Sequence, residues 1–144
     1  MKHLLSISTI FKIYLKIPIG VCTVILTLFV LYLTLAPRPL PEGMTGWLEA
    51  DKLGHFIFFI TLTSSYLLDA LRIKYPQDIS NKLLMVILLF SILLSGGIEL
   101  AQAYMNIGRS GSVADFIFDT LGVIAGYLLY KYWLKGVIIN HLSK

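Results

Sequence analysis

Four apolar stretches, each about twenty residues long, constrain this chain more than anything else in it. They cover residues 17–36, 53–71, 83–101 and 113–134. As helices rising ~1.5 Å per residue, each is long enough for a hydrocarbon layer of ~30 Å. A soluble domain of 144 residues could not hide that much apolar surface: 57% of the chain is apolar, 14% is charged and mean hydropathy is +0.81. The pattern predicts an all-α integral membrane protein, a four-helix bundle with the lipid bilayer as its first partner.

The charges between the stretches set the expected orientation. Lys2, Lys12, Lys16, Arg72, Lys74, Lys82, Lys131, Lys135 and Lys144 fall on one side, and Arg38, Lys52 and Arg109 on the other. That asymmetry puts both termini in the cytoplasm. The net charge of +4 therefore reports orientation and not nucleic acid, because no basic cluster interleaved with aromatics occurs. Residues 1–16 read as a cytoplasmic or interfacial segment, 17–134 as the four-span domain and 135–144 as a cytoplasmic tail. The first span is expected to stay attached: Pro37 follows directly, and the run exceeds the ~7–15 residues of a signal h-region. Cys22 alone cannot form an internal disulfide and reads as filler.

Against this background the stretch Gly96–Gly126 stands out, because it places ionisable residues in or beside apolar runs. Such side chains are costly in hydrocarbon and persist where they face a bundle interior or an aqueous cavity. Asp51, His55, Glu99, Gln102, Arg109, Asp115 and Asp119 all map to the outer loops or to the outer halves of spans two, three and four. Asp51 and His55 are four apart and Glu99 and Gln102 three apart, so each pair shares a helix face. Asp115, Asp119, Gly122 and Gly126 follow 4-3-4 spacing, acidic above and small-xxx-small below. Gly96 and Gly97 lie one turn below Glu99 and read as the other half of that seam. The expected arrangement has spans three and four tightly packed low down, opening above into a polar pocket to which span two brings His55.

Ordinary explanations compete at several positions. Asp51 reads as the N-cap of span two, and Ser112 with Asp115 fits a capping box. Gln102 suits a helix-bridging hydrogen bond as well as a ligand contact. Arg109 reads as a loop cation, a partner for Glu99, or a grip on phosphate. Asp119 has the least ordinary explanation: about 10 Å along the axis below Ser112, it needs a partner, a proton or a cation. Asp115 and Asp119 are compatible with Mg²⁺ or Ca²⁺, and His55 or Glu99 with acid–base work. No H-E-x-x-H, G-x-S-x-G, P-loop or Cys pair is present, so whether the chain is an enzyme stays open.

The run Asp51-Lys52-x-x-His55-Phe56, then Glu99-x-x-Gln102, then Arg109 with Asp115 six residues on, then Gly122 and Gly126, resembles the VanZ-like family over about residues 37–130. The family usually carries Asn where Asp119 stands here. The resemblance implies a small multi-span protein of the bacterial inner membrane. The family's name-giving member is associated with low-level teicoplanin resistance, which implies a role in the cell envelope. Three readings follow: a pocket that holds an envelope lipid or lipid-linked precursor head group, an intramembrane enzyme on a lipid-linked phosphate substrate, or a structural or transport subunit.

Overall fold

The computed structural model describes residues 7–36, 46–105 and 111–143, with side chains over 9–36, 51–105 and 111–143. Among these residues the chain is all helical: α1 (Ile7–Lys16), α2 (Val21–Leu35), α3 (Gly46–Lys74), α4 (Asn81–Met105), α5 (Val113–Leu129) and α6 (Lys135–Leu142). A π-helical turn, Tyr130–Leu134, joins α5 to α6 without a break. Three segments are long and apolar enough to cross a membrane: Asp51–Lys74, Asn81–Met105 and Val113–Leu142. A fourth crossing exists if α1 and α2, bent by 98°, count as one broken span.

That bend revises the first span. The run expected over 17–36 starts its helix only at Val21 and holds 15 residues, about 22 Å long. Pro18 explains the break, since it cannot continue a helix and biases Ile17 away from helical geometry. Gly20 then turns the chain at φ +86°, where any other residue would be strained. Hydropathy alone does not register such an elbow. Two further expectations change. Asp51 is not an N-cap, because α3 already begins at Gly46 and carries Asp51 in its second turn. Residues 135–142, expected as a tail, continue helically and bury Ile138 completely.

The burial pattern is the reverse of a soluble protein's. On α4 the buried residues are Ser91, Ser95, Ile98, Glu99 and Gln102, whereas Met85, Leu89, Leu93 and Leu100 are exposed. Apolar outside and polar inside is stable only where the surroundings are hydrocarbon. α3 lies at the centre and packs on α2, α4 and most extensively α5. One apolar layer joins Phe59, Ile98 and Val123. Another joins Leu67, Leu71, Tyr130, Leu134 and Ile138, with Phe11 and Tyr14 of α1 against it.

The glycine seam is also placed differently from expectation. A Cβ on Gly122 would sit 2.5 Å from the Phe56 carbonyl oxygen, and one on Gly126 2.7 Å from that of Ile60. Both contacts are with α3. Gly97 has nothing within 4 Å of its Cβ position, and Gly96 would meet only the Phe116 ring, at 3.6 Å. The close approach is therefore between spans two and four, and Gly96 and Gly97 are not half of it. Ser64 Oγ uses the proximity to donate to the Gly126 carbonyl at 3.2 Å.

Candidate functional site

The amino-terminal part of α3, the carboxy-terminal part of α4 and the first turns of α5 meet at one end of the molecule. Their polar side chains converge there. His55 Nδ1 lies 3.1 Å from Asp119 Oδ1, and Ser95 Oγ donates to Asp119 Oδ2 at 2.7 Å. Glu99 Oε1 is 3.7 Å from His55 Nδ1. Its other oxygen accepts the Ser112 backbone N–H at 2.7 Å. His55 is 1% exposed, Asp119 0% and Glu99 8%, so the group is sealed among the three helices.

Local sequence explains how each member is held. Ser112 caps α5, its Oγ accepting from the Asp115 N–H at 3.3 Å. The Ser112 hydroxyl thus caps the Asp115 N–H, and the Asp115 carboxylate also interacts with Ser112. Asp115 Oδ1 and Glu99 Oε1 are both buried without a hydrogen-bond partner among the described residues. Buried acceptors of this kind are rare, because an unmatched one costs ~1–3 kcal/mol. Ser112 also ties α5 to α4 through Glu99. Gly111 beside it lies against the Glu99 carbonyl, where a Cβ would come within 2.2 Å.

The electrostatic balance is incomplete in a specific way. One imidazole carries at most one positive charge, against carboxylates at Asp119 and Glu99 with Asp115 nearby. In a low-dielectric interior that deficit requires protons or a cation. Two groups offer donor atoms within 4.8 Å of one another: His55 with Glu99 and Asp119, and Asp51 with His55 and Asp115.

Of the residues singled out in the sequence, Asp51, His55, Glu99, Asp115 and Asp119 come together. Gln102 is buried but turns elsewhere, its Nε2 donating to the Thr34 carbonyl at 2.8 Å; it ties α4 to the end of α2. Arg109 lies outside the described residues. Ser95 was missed, although Ser91, Ser95, Glu99 and Gln102 keep a 4-4-3 spacing that marks one face.

A second polar cluster, centred on Asp69, occupies the opposite end of α3. Asp69 accepts from Tyr14 OH at 2.7 Å, from the Gly20 N–H at 3.1 Å and from Thr23 Oγ1. Arg72 Nη1 approaches it at 3.5 Å. The same guanidinium donates to the Ile17 and Leu15 carbonyls and covers the Tyr14 ring at 4.7 Å. This cluster fixes the elbow between α1 and α2. Its acceptors are matched, so it reads as structural.

No curated protein and no solved structure matches the chain. A family model described as VanZ/LLP1 matches residues 2–136, nearly the whole sequence and all of the helices that build the site. The chain belongs to the VanZ/LLP1 family.

Proposed function

We propose that this VanZ-family membrane protein binds the head group of a cell-envelope lipid or lipid-linked precursor in the pocket around His55, Glu99 and Asp115. In this reading the chain crosses the bacterial cytoplasmic membrane four times, with both termini inside and the pocket toward the outer surface. The distribution of Lys and Arg supports that orientation. One observation carries the reading: two carboxylate oxygens, Glu99 Oε1 and Asp115 Oδ1, are buried without a hydrogen-bond partner among the described residues. Evolved interiors rarely leave such acceptors unmatched, and a head group bearing hydroxyl, amide or ammonium donors would complete them. The link to low-level teicoplanin resistance rests on family membership, and it suits a polar site placed toward the surface where the drug's lipid-linked targets are displayed.

Native mass spectrometry of protein purified with bacterial lipid extract tests this. Retention of a defined lipid by the parent, lost in Asp115→Asn and Glu99→Gln with helicity unchanged, is the expected result. Equal retention in all three proteins would overturn the assignment. Raised teicoplanin tolerance in a sensitive host, lost in His55→Ala, is the expected cellular counterpart. The chain Ser95–Asp119–His55 favours one alternative, an intramembrane enzyme, because a carboxylate that orients an imidazole is how acid–base catalysts are built. Conversion of the retained lipid into product, absent in His55→Ala, would separate catalysis from binding.

A further inference from the structure

The three buried donors His55 Nδ1, Glu99 Oε1 and Asp119 Oδ1 are already spaced as metal ligands. Bonds of ~2.0–2.1 Å in tetrahedral geometry put neighbouring donors about 3.3 Å apart. Nδ1 lies 3.1 Å from Asp119 Oδ1 and 3.7 Å from Glu99 Oε1. We infer that His55, Glu99 and Asp119 form a binding site for a first-row divalent metal ion, Zn²⁺ or Mn²⁺.

Three independent features support the site. Each carboxylate is braced through its far oxygen, Asp119 by the Ser95 hydroxyl and Glu99 by the Ser112 N–H. That leaves the near oxygens turned toward the imidazole, as outer-shell bonds do at metal centres. Glu99 Oε1, more than nine-tenths buried, has no hydrogen-bond partner among the described residues, so an acceptor points into the site. Two carboxylates and a neutral imidazole also match a dication in charge. The ion cancels what would otherwise be two negative charges in a low-dielectric interior.

Donor chemistry selects the metal. One imidazole with two carboxylates suits Zn²⁺ or Mn²⁺ better than Ca²⁺, which favours six to eight oxygens, or Mg²⁺, which keeps its waters. The Asp51–His55–Asp115 set is the weaker candidate, because Asp51 is only half-buried, whereas His55, Glu99 and Asp119 are all buried. Three protein ligands leave a coordination position open. The inference deepens the head-group reading and rests on the same pocket: the open position would accept a phosphate or other anionic oxygen that bare carboxylates repel.

The test uses the full chain in detergent, stripped with chelator and free of added precursor lipid. Equilibrium dialysis against ZnCl₂ or MnCl₂ with elemental analysis is expected to give one ion per chain. Asp119→Asn and Glu99→Gln keep the size of each side chain and the oxygen that accepts from Ser95 or Ser112. Each is expected to weaken binding on the order of 100-fold or more, beyond the loss typical of outer-shell partners. Asp78→Asn, at the far end, is expected to bind as the parent does. Circular dichroism of each variant reports folding, and a Zn²⁺-dependent rise in the parent's melting temperature, absent in Glu99→Gln, gives a second readout. No ion above the Asp119→Asn background, or equal binding in all variants, overturns the metal site and means that protons alone balance the triad. Because lipid retention is measured separately, that failure would leave the head-group reading to its own test.

Discussion

Substitution at the glycine seam should damage the polar site from a distance. In Gly122→Ala the new methyl meets the Phe56 carbonyl oxygen at 2.5 Å, whereas ordinary contact begins near 3.4 Å. The obstacle is backbone, so α5 must move from α3 by about 0.9 Å. Asp119 lies one turn from Gly122 on the same helix and moves with it. A displacement of that size takes the 3.1 Å His55–Asp119 bond to about 4 Å, beyond hydrogen bonding. Overpacking costs ~1–3 kcal/mol and the lost charge-assisted bond ~1.5–3 kcal/mol, so G122A should lose about 2.5–6 kcal/mol. Gly136→Ala meets nothing within 4 Å and should gain up to ~1 kcal/mol from reduced backbone freedom. Reversible unfolding in mixed micelles measures both. A double-mutant cycle identifies the cause: His55→Ala should cost at least ~1 kcal/mol less in the G122A background, because its bond is already open. Additive effects, or a G122A protein as stable as G136A, would refute the coupling between seam and site.

Other perturbations follow from single contacts. Gln102→Leu removes the bond to the Thr34 carbonyl and should cost ~1–3 kcal/mol, read as lower melting temperature and faster exchange of the last amides of α2. Asp69→Ala strands the buried Arg72 and should cost ~3–5 kcal/mol, with new protease cleavage near residues 17–20 as the elbow loosens. Ser112→Ala removes the α5 cap and should cost about 1 kcal/mol. Acid should also act at the contact between Asp78 and Lys135. Lys135 hydrogen-bonds Asp78 and holds its carboxyl below the usual range. A depressed folded value means that this stabilisation is present above the unfolded value of ~3.9 and fades as pH falls through the folded one. The pair is solvent-exposed, so Asp78→Asn should change stability by no more than about 1 kcal/mol and remove that part of the acid dependence.

What could be read from the sequence was whatever depends on one helix at a time. The all-helical class, the presence of segments long and apolar enough to cross a membrane, and the cap at Ser112 all follow from local hydropathy and spacing. What could not be read depends on partners. The Gly122–Gly126 stripe is plain in α5, but nothing in its spacing says whether α3 or α4 lies against it. The Asp69 cluster has no local signature, because its donors Tyr14, Gly20 and Thr23 are 46 to 55 residues away and converge only once the chain turns at Gly20. Ser95 was passed over because a hydroxyl in an apolar helix usually bonds its own backbone, as Ser91 does to the Ile87 carbonyl.

α3 carries both polar clusters, fourteen positions apart, and the contrast between them is the best reason to assign a function to one. Both place carboxylates where hydrocarbon disfavours them, so both must be compensated. Asp69 is compensated entirely from within, by a guanidinium, two hydroxyls and a backbone N–H. If the second cluster served only to hold helices together, the same economy should apply to it. There, braces on the far oxygens of Glu99 and Asp119 hold the near ones in place, while Glu99 Oε1 and Asp115 Oδ1 have no hydrogen-bond partner among the described residues. A purely structural cluster has no use for positioned but unmatched acceptors, since replacing Glu99 with an apolar residue of similar size would remove the penalty. Glu99→Met relieves the unmatched Oε1 but gives up the bond to the Ser112 N–H, so it should cost no more than ~1–3 kcal/mol while abolishing ligand retention. A loss of stability of several kcal/mol with retention intact would instead make Glu99 a strut.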